Sequence, residues 1–258
     1  MSYYTRQTIT QVTHWNHKLF SFKCTRDPDL QFENGQFVLI GLMQNERPLL
    51  RAYSFVNANH EPELEFLSII VPDGALTSQL QHIQPGNELI VAKAAKGTLV
   101  VSDLVPGRRL LLLATGTGLA PFISILRDRQ IATKFEQIIL VHGVRQVSEL
   151  AYAEELQRFA TNPGCHYYPT VTREPFAHQG RIPALIETGR VFRDLGIAPL
   201  DPAVDRIMIC GNAAMLNETR LLLENQGFRG PPNKGQPGTL LVEQAFAMQK
   251  QPAPQDKN

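Results

Sequence analysis

The chain has 258 residues, 43% of them hydrophobic and 19% charged, with a formal net charge of +1. That length suits one large or two modest domains with real cores, and the near-zero charge excludes the cationic surplus that nucleic-acid binding demands. No apolar run approaches the roughly 18 residues of a membrane span, and the start Met1-Ser2-Tyr3-Tyr4-Thr5-Arg6 lacks a secretory pattern.

A cytoplasmic protein with no membrane insertion is therefore expected. Cys24, Cys165 and Cys210 are scattered, with no C-x-x-C pair and no zinc or iron–sulfur spacing, so no metal is expected either.

In chain order, residues 8–12, 19–22 and 36–40 are apolar or alternating stretches bounded by Asp-Pro and Asn-Gly turn chemistry, which predicts strands. Further strands are predicted over 51–56, 64–71 and 88–92. The single helical stretch among them is marked by Leu76, Leu80 and Ile83 at spacings of four and three. Short strands so spaced predict a closed antiparallel β-barrel over residues 1–104.

Val105-Pro106-Gly107 breaks that pattern. Residues 109–114 are a leucine-rich run of the kind buried on both faces of a parallel sheet, and a helix is predicted over 121–127. Strand and helix then alternate: strands over 137–142, 166–171 and 206–210, helices over 148–159 and 213–225, and a last strand over 239–246. Residues 105–248 thus read as an α/β nucleotide-binding domain, and 249–258 as a mobile tail with nothing to pack.

Chemistry concentrates at a few places. Arg51-Ala52-Tyr53-Ser54 puts a cation, an aromatic face and a hydroxyl at a strand end, which is what a flavin's phosphate, ring and reactive edge each need. The bland alternative is a surface Arg, a half-buried Tyr and a strand-end Ser. Asp73-Gly74-Ala75-Leu76-Thr77-Ser78 opens the barrel's helix, where free N–H groups suit a pyrophosphate.

In the second half, Thr115-Gly116-Thr117-Gly118 joins a buried strand to a helix, a second place for an anion. Cys210-Gly211-Asn212-Ala213-Ala214 ends another strand, and such ends line the ligand crevice of open α/β sheets. Cys210 has an alternative reading as a small buried apolar residue. Arg145 after Val144, Arg173 after Thr172, and Arg181 all lie at or beyond strand ends. Each alone is a solvated side chain; together they suit a 2′-phosphate, which favours NADP(H) over NAD(H).

These segments resemble the bacterial ferredoxin (flavodoxin)–NADP⁺ reductase family over the chain up to about Phe246. The resemblance implies a two-domain architecture: an antiparallel FAD-binding β-barrel followed by a Rossmann-like parallel-sheet NADP-binding domain. It implies that Arg51 pairs with the FAD pyrophosphate, Tyr53 stacks on the isoalloxazine, and Ser54 hydrogen-bonds near N5. Leu67 matches the adenine-side contact, and Ala75, Leu76 and Thr77 the phosphate side, several through backbone atoms. Thr117 approaches the flavin, and Cys210 lies beside nicotinamide C4. Ala213 stands where the family's C-G-N-P-x-M segment has proline, and Ala245-Phe246 matches an aromatic cover of the flavin, although Phe246 also reads as core.

The implied activity is exchange of electrons between NADPH and a separate ferredoxin or flavodoxin through FAD, with catalytic positions at Ser54 and Cys210. A monomer is expected. Two alternatives stand beside it: the NAD(P)H-dependent reductase component of an oxygenase, and a non-catalytic FAD/NADP-sensing module.

Overall fold

The computed structural model describes residues 3–71, 74–233 and 235–245. Six strands form the first sheet: β1 (Tyr4–His14), β2 (Leu19–Cys24), β3 (Phe37–Gln44), β4 (Arg47–Ser54), β5 (Leu64–Ile69) and β6 (Glu88–Ala92), in the order β4-β3-β6-β1-β2-β5. Every pairing is antiparallel. Its two edges meet just past β4, where Phe55 bridges Phe66 and the Val56 N–H donates to the Glu65 carbonyl at 2.9 Å. The expected barrel is present, filled by Phe20, Phe22, Phe55 and Phe66.

β3 and β4 are longer than the alternation predicts, because they form one hairpin. Asn45 and Glu46 turn it with φ of 47° and 63°, both in the left-handed region that a two-residue hairpin loop of this type requires. Neither is glycine, so the usual sequence signal is missing. The barrel's helix is a single turn, α1 (Thr77–Leu80), although Leu76, Leu80 and Ile83 are all buried as their spacing predicts.

The second sheet contains β7 (Arg109–Thr115), β8 (Gln137–Val144), β9 (Cys165–Val171), β10 (Asp205–Gly211) and β11 (Leu240–Gln244). All are parallel, in the order β11-β10-β7-β8-β9. Leu110, Leu111, Leu112 and Leu113 of β7 are fully buried, alternately on the two faces. The helices α2 (Ala120–Leu126) and α7 (Ala213–Asn225) fall where predicted, whereas the short α3 (Ile131–Lys134), α5 (Ile182–Glu187) and α6 (Arg190–Leu195) are unforeseen. Among the described residues no helix is long and apolar enough to cross a membrane. Phe246 and the expected tail at 249–258 lie outside the described residues.

The helix expected over 148–159 starts only at α4 (Ala153–Phe159), because Tyr152 adopts φ 58°. Distant contacts hold Tyr152 there. Its hydroxyl donates to Glu65 Oε1 at 2.7 Å, and its ring lies 4.6 Å from that of Trp15. Arg127, one residue past α2, reaches Glu65 and Glu155, each at 2.7 Å. These links run beside an apolar seam in which Leu19, Val56 and Leu67 of the barrel pack with Leu119, Phe122 and Ile123 of the second half.

Candidate functional site

In the parallel sheet the direction of winding reverses between the adjacent strands β7 and β10, and ligands of such sheets bind outside the carboxyl ends of the strands at that point. After β7 the chain makes a 3₁₀ turn, Gly116–Leu119, before entering α2. Gly116 sits at φ +55° with nothing within 4 Å of where a Cβ would be, so it supplies the left-handed turn and leaves space beside it. Gly118 is constrained differently: a Cβ there would lie 2.4 Å from the Cys210 carbonyl oxygen, so only glycine lets the turn close onto the end of β10.

Thr115 and Asn212 tie the two strand ends together. Thr115 Oγ1 accepts from the Asn212 backbone N–H and from its Nδ2, each at 3.1 Å. Asn212 Oδ1 in turn accepts from the Met215 N–H at 3.0 Å and caps α7. Beneath the glycine turn, burial pushes the fully buried His142 down to about 4, against a smaller opposing effect of the Gly116 backbone. The imidazole is therefore a neutral support for the turn.

A cleft of about 460 Å³ opens over these strand ends. Gly116, Thr117 and Asn212 line one wall; Val144, Arg145, Thr172, Arg173 and Arg181 line the other. The structure thus gathers these predicted residues, which are up to 96 positions apart in sequence as Gly116 and Asn212 are, around one space. Arg145, Arg173 and Arg181 are exposed to it. Arg181 pairs with Glu218 of α7, while among the described residues no carboxylate pairs with Arg145 or Arg173. Asn16, Lys18, Leu19 and Ile69 of the barrel complete the rim, together with Glu149. Sequence patterning missed the barrel's contribution, since nothing local marks Asn16 or Lys18 as near the strand ends.

The barrel residues form a second group. Arg51, Ala52, Tyr53 and Ser54 end β4, opposite Ile40, Leu39, Val38 and Phe37 of β3. Arg51 donates to the neighbouring Leu50 carbonyl at 2.7 Å, and no carboxylate neutralises it among the described residues. The Tyr53 hydroxyl is 3.0 Å from Ser68 Oγ, and its ring meets Phe66 edge-on at 6.3 Å. Burial pushes the Tyr53 phenol up, partly opposed by Ser68 and Arg51, so the ring is held neutral.

Leu67 on β5 and Leu76 before α1 are buried, so any contact with a cofactor there falls to their backbones. Ala75 is exposed, Gly74 half-buried, and Thr77 Oγ1 lies 3.3 Å from the Val71 carbonyl and 3.2 Å from its N–H. A guanidinium without a carboxylate, a neutral phenol and a glycine-containing turn fit the phosphate, ring and second phosphate of a flavin nucleotide.

Cys210, the penultimate residue of β10, has no exposed surface and lies in the shared core rather than on the cleft lining. Burial first, and Glu243 second, push its thiol up, so it stays protonated. Glu243, its register partner on β11, is itself pushed up to about 7 by burial against a backbone hydrogen bond at Thr98. Ala213 and Ala214 open α7 at the surface, and the Ala245 N–H donates to the Gly211 carbonyl at 3.1 Å.

Comparison with known proteins finds matches to both halves of the chain. A family model described as the oxidoreductase FAD-binding domain matches residues 7–100, and one described as the oxidoreductase NAD-binding domain matches 112–220. The chain is 50% identical over 256 residues to ferredoxin–NADP reductase A of Sorangium cellulosum, covering 96% of this chain and 92% of that protein. It is 49% identical over 249 residues to the ferredoxin–NADP reductase of Azotobacter vinelandii, with 93% and 96% covered. A crystal structure of a ferredoxin NADP⁺ reductase from Neisseria gonorrhoeae with bound FAD and NADP superposes with a TM-score of 0.90 at 30% identity, covering 95% of this chain and all of that one.

Proposed function

The chain belongs to the ferredoxin–NADP reductase family, and from that membership we propose that it exchanges electrons between NADPH and a small one-electron carrier, a ferredoxin or flavodoxin, through FAD. The observation that carries this reading is the cleft over the β7 and β10 ends, with a glycine turn on one wall and three arginines on the other. Bound FAD supplies the conversion between a two-electron hydride and one-electron steps. The protein's own residues bind and orient. We place the boundary between the FAD and NADP(H) units at 104/105, and assign the protein to the cytoplasm as a monomer.

The purified protein is expected to be yellow, to bleach rapidly with NADPH under anaerobic conditions, and to pass electrons to ferredoxin or flavodoxin. Flavin absorbance unchanged by NADPH would instead support a sensing module. The reductase component of an oxygenase is a weaker reading, because the match to the reductases above spans nearly the full length of both partners.

In the FAD site, Arg51 offsets the pyrophosphate charge, Tyr53 presents its ring to the isoalloxazine, and Ser54 offers a hydroxyl at the reactive edge. Gly74, Ala75 and Thr77 receive the phosphates, and Leu67 and Leu76 contribute backbone. Arg51→Ala should weaken FAD binding by about 1.5–3 kcal/mol, the worth of a hydrogen bond to a charged group. Fluorimetric titration of the apoprotein with FAD checks this, and unchanged affinity would remove Arg51 from the site.

In the NADP(H) site, Arg145, Arg173 and Arg181 take the 2′-phosphate, with Val144 and Thr172 beside them. Thr117 and Asn212, with Ala213, Ala214 and Ala245 close to the β10 end, shape the nicotinamide end. Cys210 acts by position alone, because a buried, protonated thiol is no nucleophile. Small displacements of reacting groups cost large factors in rate. Cys210→Ala should therefore slow NADPH-driven flavin reduction roughly tenfold in stopped flow, with FAD content and NADP⁺ affinity nearly intact. Reduction at the parent rate would make Cys210 a packing residue.

A further inference from the structure

We infer that Lys18, on the turn between β1 and β2 of the barrel, binds the pyrophosphate of the nicotinamide dinucleotide. This rests on the NADP(H) reading of the cleft. Lys18 is an exposed side chain on the cleft rim, contributed by the opposite half of the molecule from Arg145, Arg173 and Arg181. No carboxylate pairs with it among the described residues. Glu149, a carboxylate on the cleft lining, already accepts the backbone N–H groups of Arg145 and Gln146 at 2.7 and 3.2 Å.

The backbone that carries Lys18 is pinned on several sides. Asn16 Oδ1 accepts the N–H groups of Lys18 and Leu19, each at 2.8 Å, while its Nδ2 donates across the seam to the Ser148 carbonyl at 2.9 Å. The Lys18 carbonyl accepts from the Ile70 N–H at 2.8 Å. Trp15 stands against Tyr152 and donates to Ser21 Oγ at 3.2 Å. A loop stapled in this way keeps the root of the Lys18 side chain on the cleft rim, so that only the side chain itself has to be ordered when an anion arrives.

The chemistry of the dinucleotide decides which anion that is. Its 2′-phosphate belongs at the arginine wall on the α/β side, and its nicotinamide must reach a flavin held by the barrel. The pyrophosphate lies between them, where the ligand crosses from one half of the protein to the other. A cation on the barrel side of that crossing meets the pyrophosphate.

Calorimetric titration of oxidised holoprotein with NADP⁺ and with adenosine 2′-monophosphate, which has the 2′-phosphate and no pyrophosphate, tests this. Lys18→Ala removes an exposed side chain and should leave the fold intact. Its dissociation constant for NADP⁺ should rise about three- to tenfold, more at low salt, with adenosine 2′-monophosphate unaffected and Lys18→Arg close to parent. Unchanged NADP⁺ binding would overturn the inference, as would an equal loss for both ligands, which would put Lys18 at the 2′-phosphate. A parent protein that binds neither ligand would remove the cleft reading and this inference together; a parent that binds both, beside an unaltered Lys18→Ala, removes the inference alone.

Discussion

Replacing Arg173 and Arg181 together by alanine is expected to lower kcat/KM for NADPH about a hundredfold while changing that for NADH less than about threefold. Only NADPH has a 2′-phosphate to lose, and a hydrogen bond between charged groups contributes about 1.5–3 kcal/mol. Both guanidinium groups are exposed, so solvent and salt screen them and the lower end of that range applies, about 3 kcal/mol for the pair.

The pairing of Arg181 with Glu218 sharpens the outcome. Without Arg181, the Glu218 carboxylate is left near the place where a phosphate would sit, and repulsion adds to the lost attraction. Raising the ionic strength should shrink the difference between parent and variant. Steady-state kinetics with both coenzymes give the test. Equal losses with NADPH and NADH would mean that these arginines hold something common to both, and that another feature selects the phosphate.

Asp205→Ala is expected to destabilise the fold by about 3–5 kcal/mol. Asp205 is fully buried and Arg109 nearly so, and the two form a forked pair with both contacts at 2.6 Å. Arg109 also donates to the carbonyls of Ala198 and Pro199, each at 2.7 Å, while Asp205 Oδ2 accepts the Asp201 N–H at 2.7 Å. The pair thus sits at the start of two neighbouring strands, β7 and β10, whose far ends form the nucleotide cleft.

Removing the carboxylate leaves a buried guanidinium without countercharge and an N–H without its acceptor, each costly in a dry interior. Urea unfolding read by far-UV circular dichroism should show a lower midpoint with the slope little changed. Replacing both Arg109 and Asp205 by apolar residues of similar size should recover much of the loss, because the penalty lies in the orphaned charge. A loss below about 1 kcal/mol for Asp205→Ala would mean that water reaches Arg109 when the carboxylate is gone.

The sequence by itself determined the elements whose cause is local. Period-two alternation marked the barrel strands, and the leucine run at Leu110 to Leu113 marked a strand buried on both faces. The glycine turn at Gly116 and Gly118 was legible because only a few residue types reach that backbone geometry. Arg145, Arg173 and Arg181 could be grouped because each follows or precedes an element end, and parallel strands bring such ends to one side of a sheet.

Tertiary structure alone decided the rest, for reasons that involve partners distant in the chain. Tyr152 interrupts a helix because Glu65 and Trp15 capture its ring and hydroxyl, and no local propensity encodes that. Arg109 looks like an ordinary charged flank of a strand until Asp205, 96 residues on, closes over it. By sequence Cys210 reads either as a ligand-side motif position or as a small buried apolar residue, and packing of both halves buries it completely. Lys18 belongs to the barrel half by sequence and lines the cleft at the second sheet by position, because the stapled Asn16 turn reaches across the seam. Periodicity reports which face of an element is apolar; which other element that face meets is set by the packing of the whole chain.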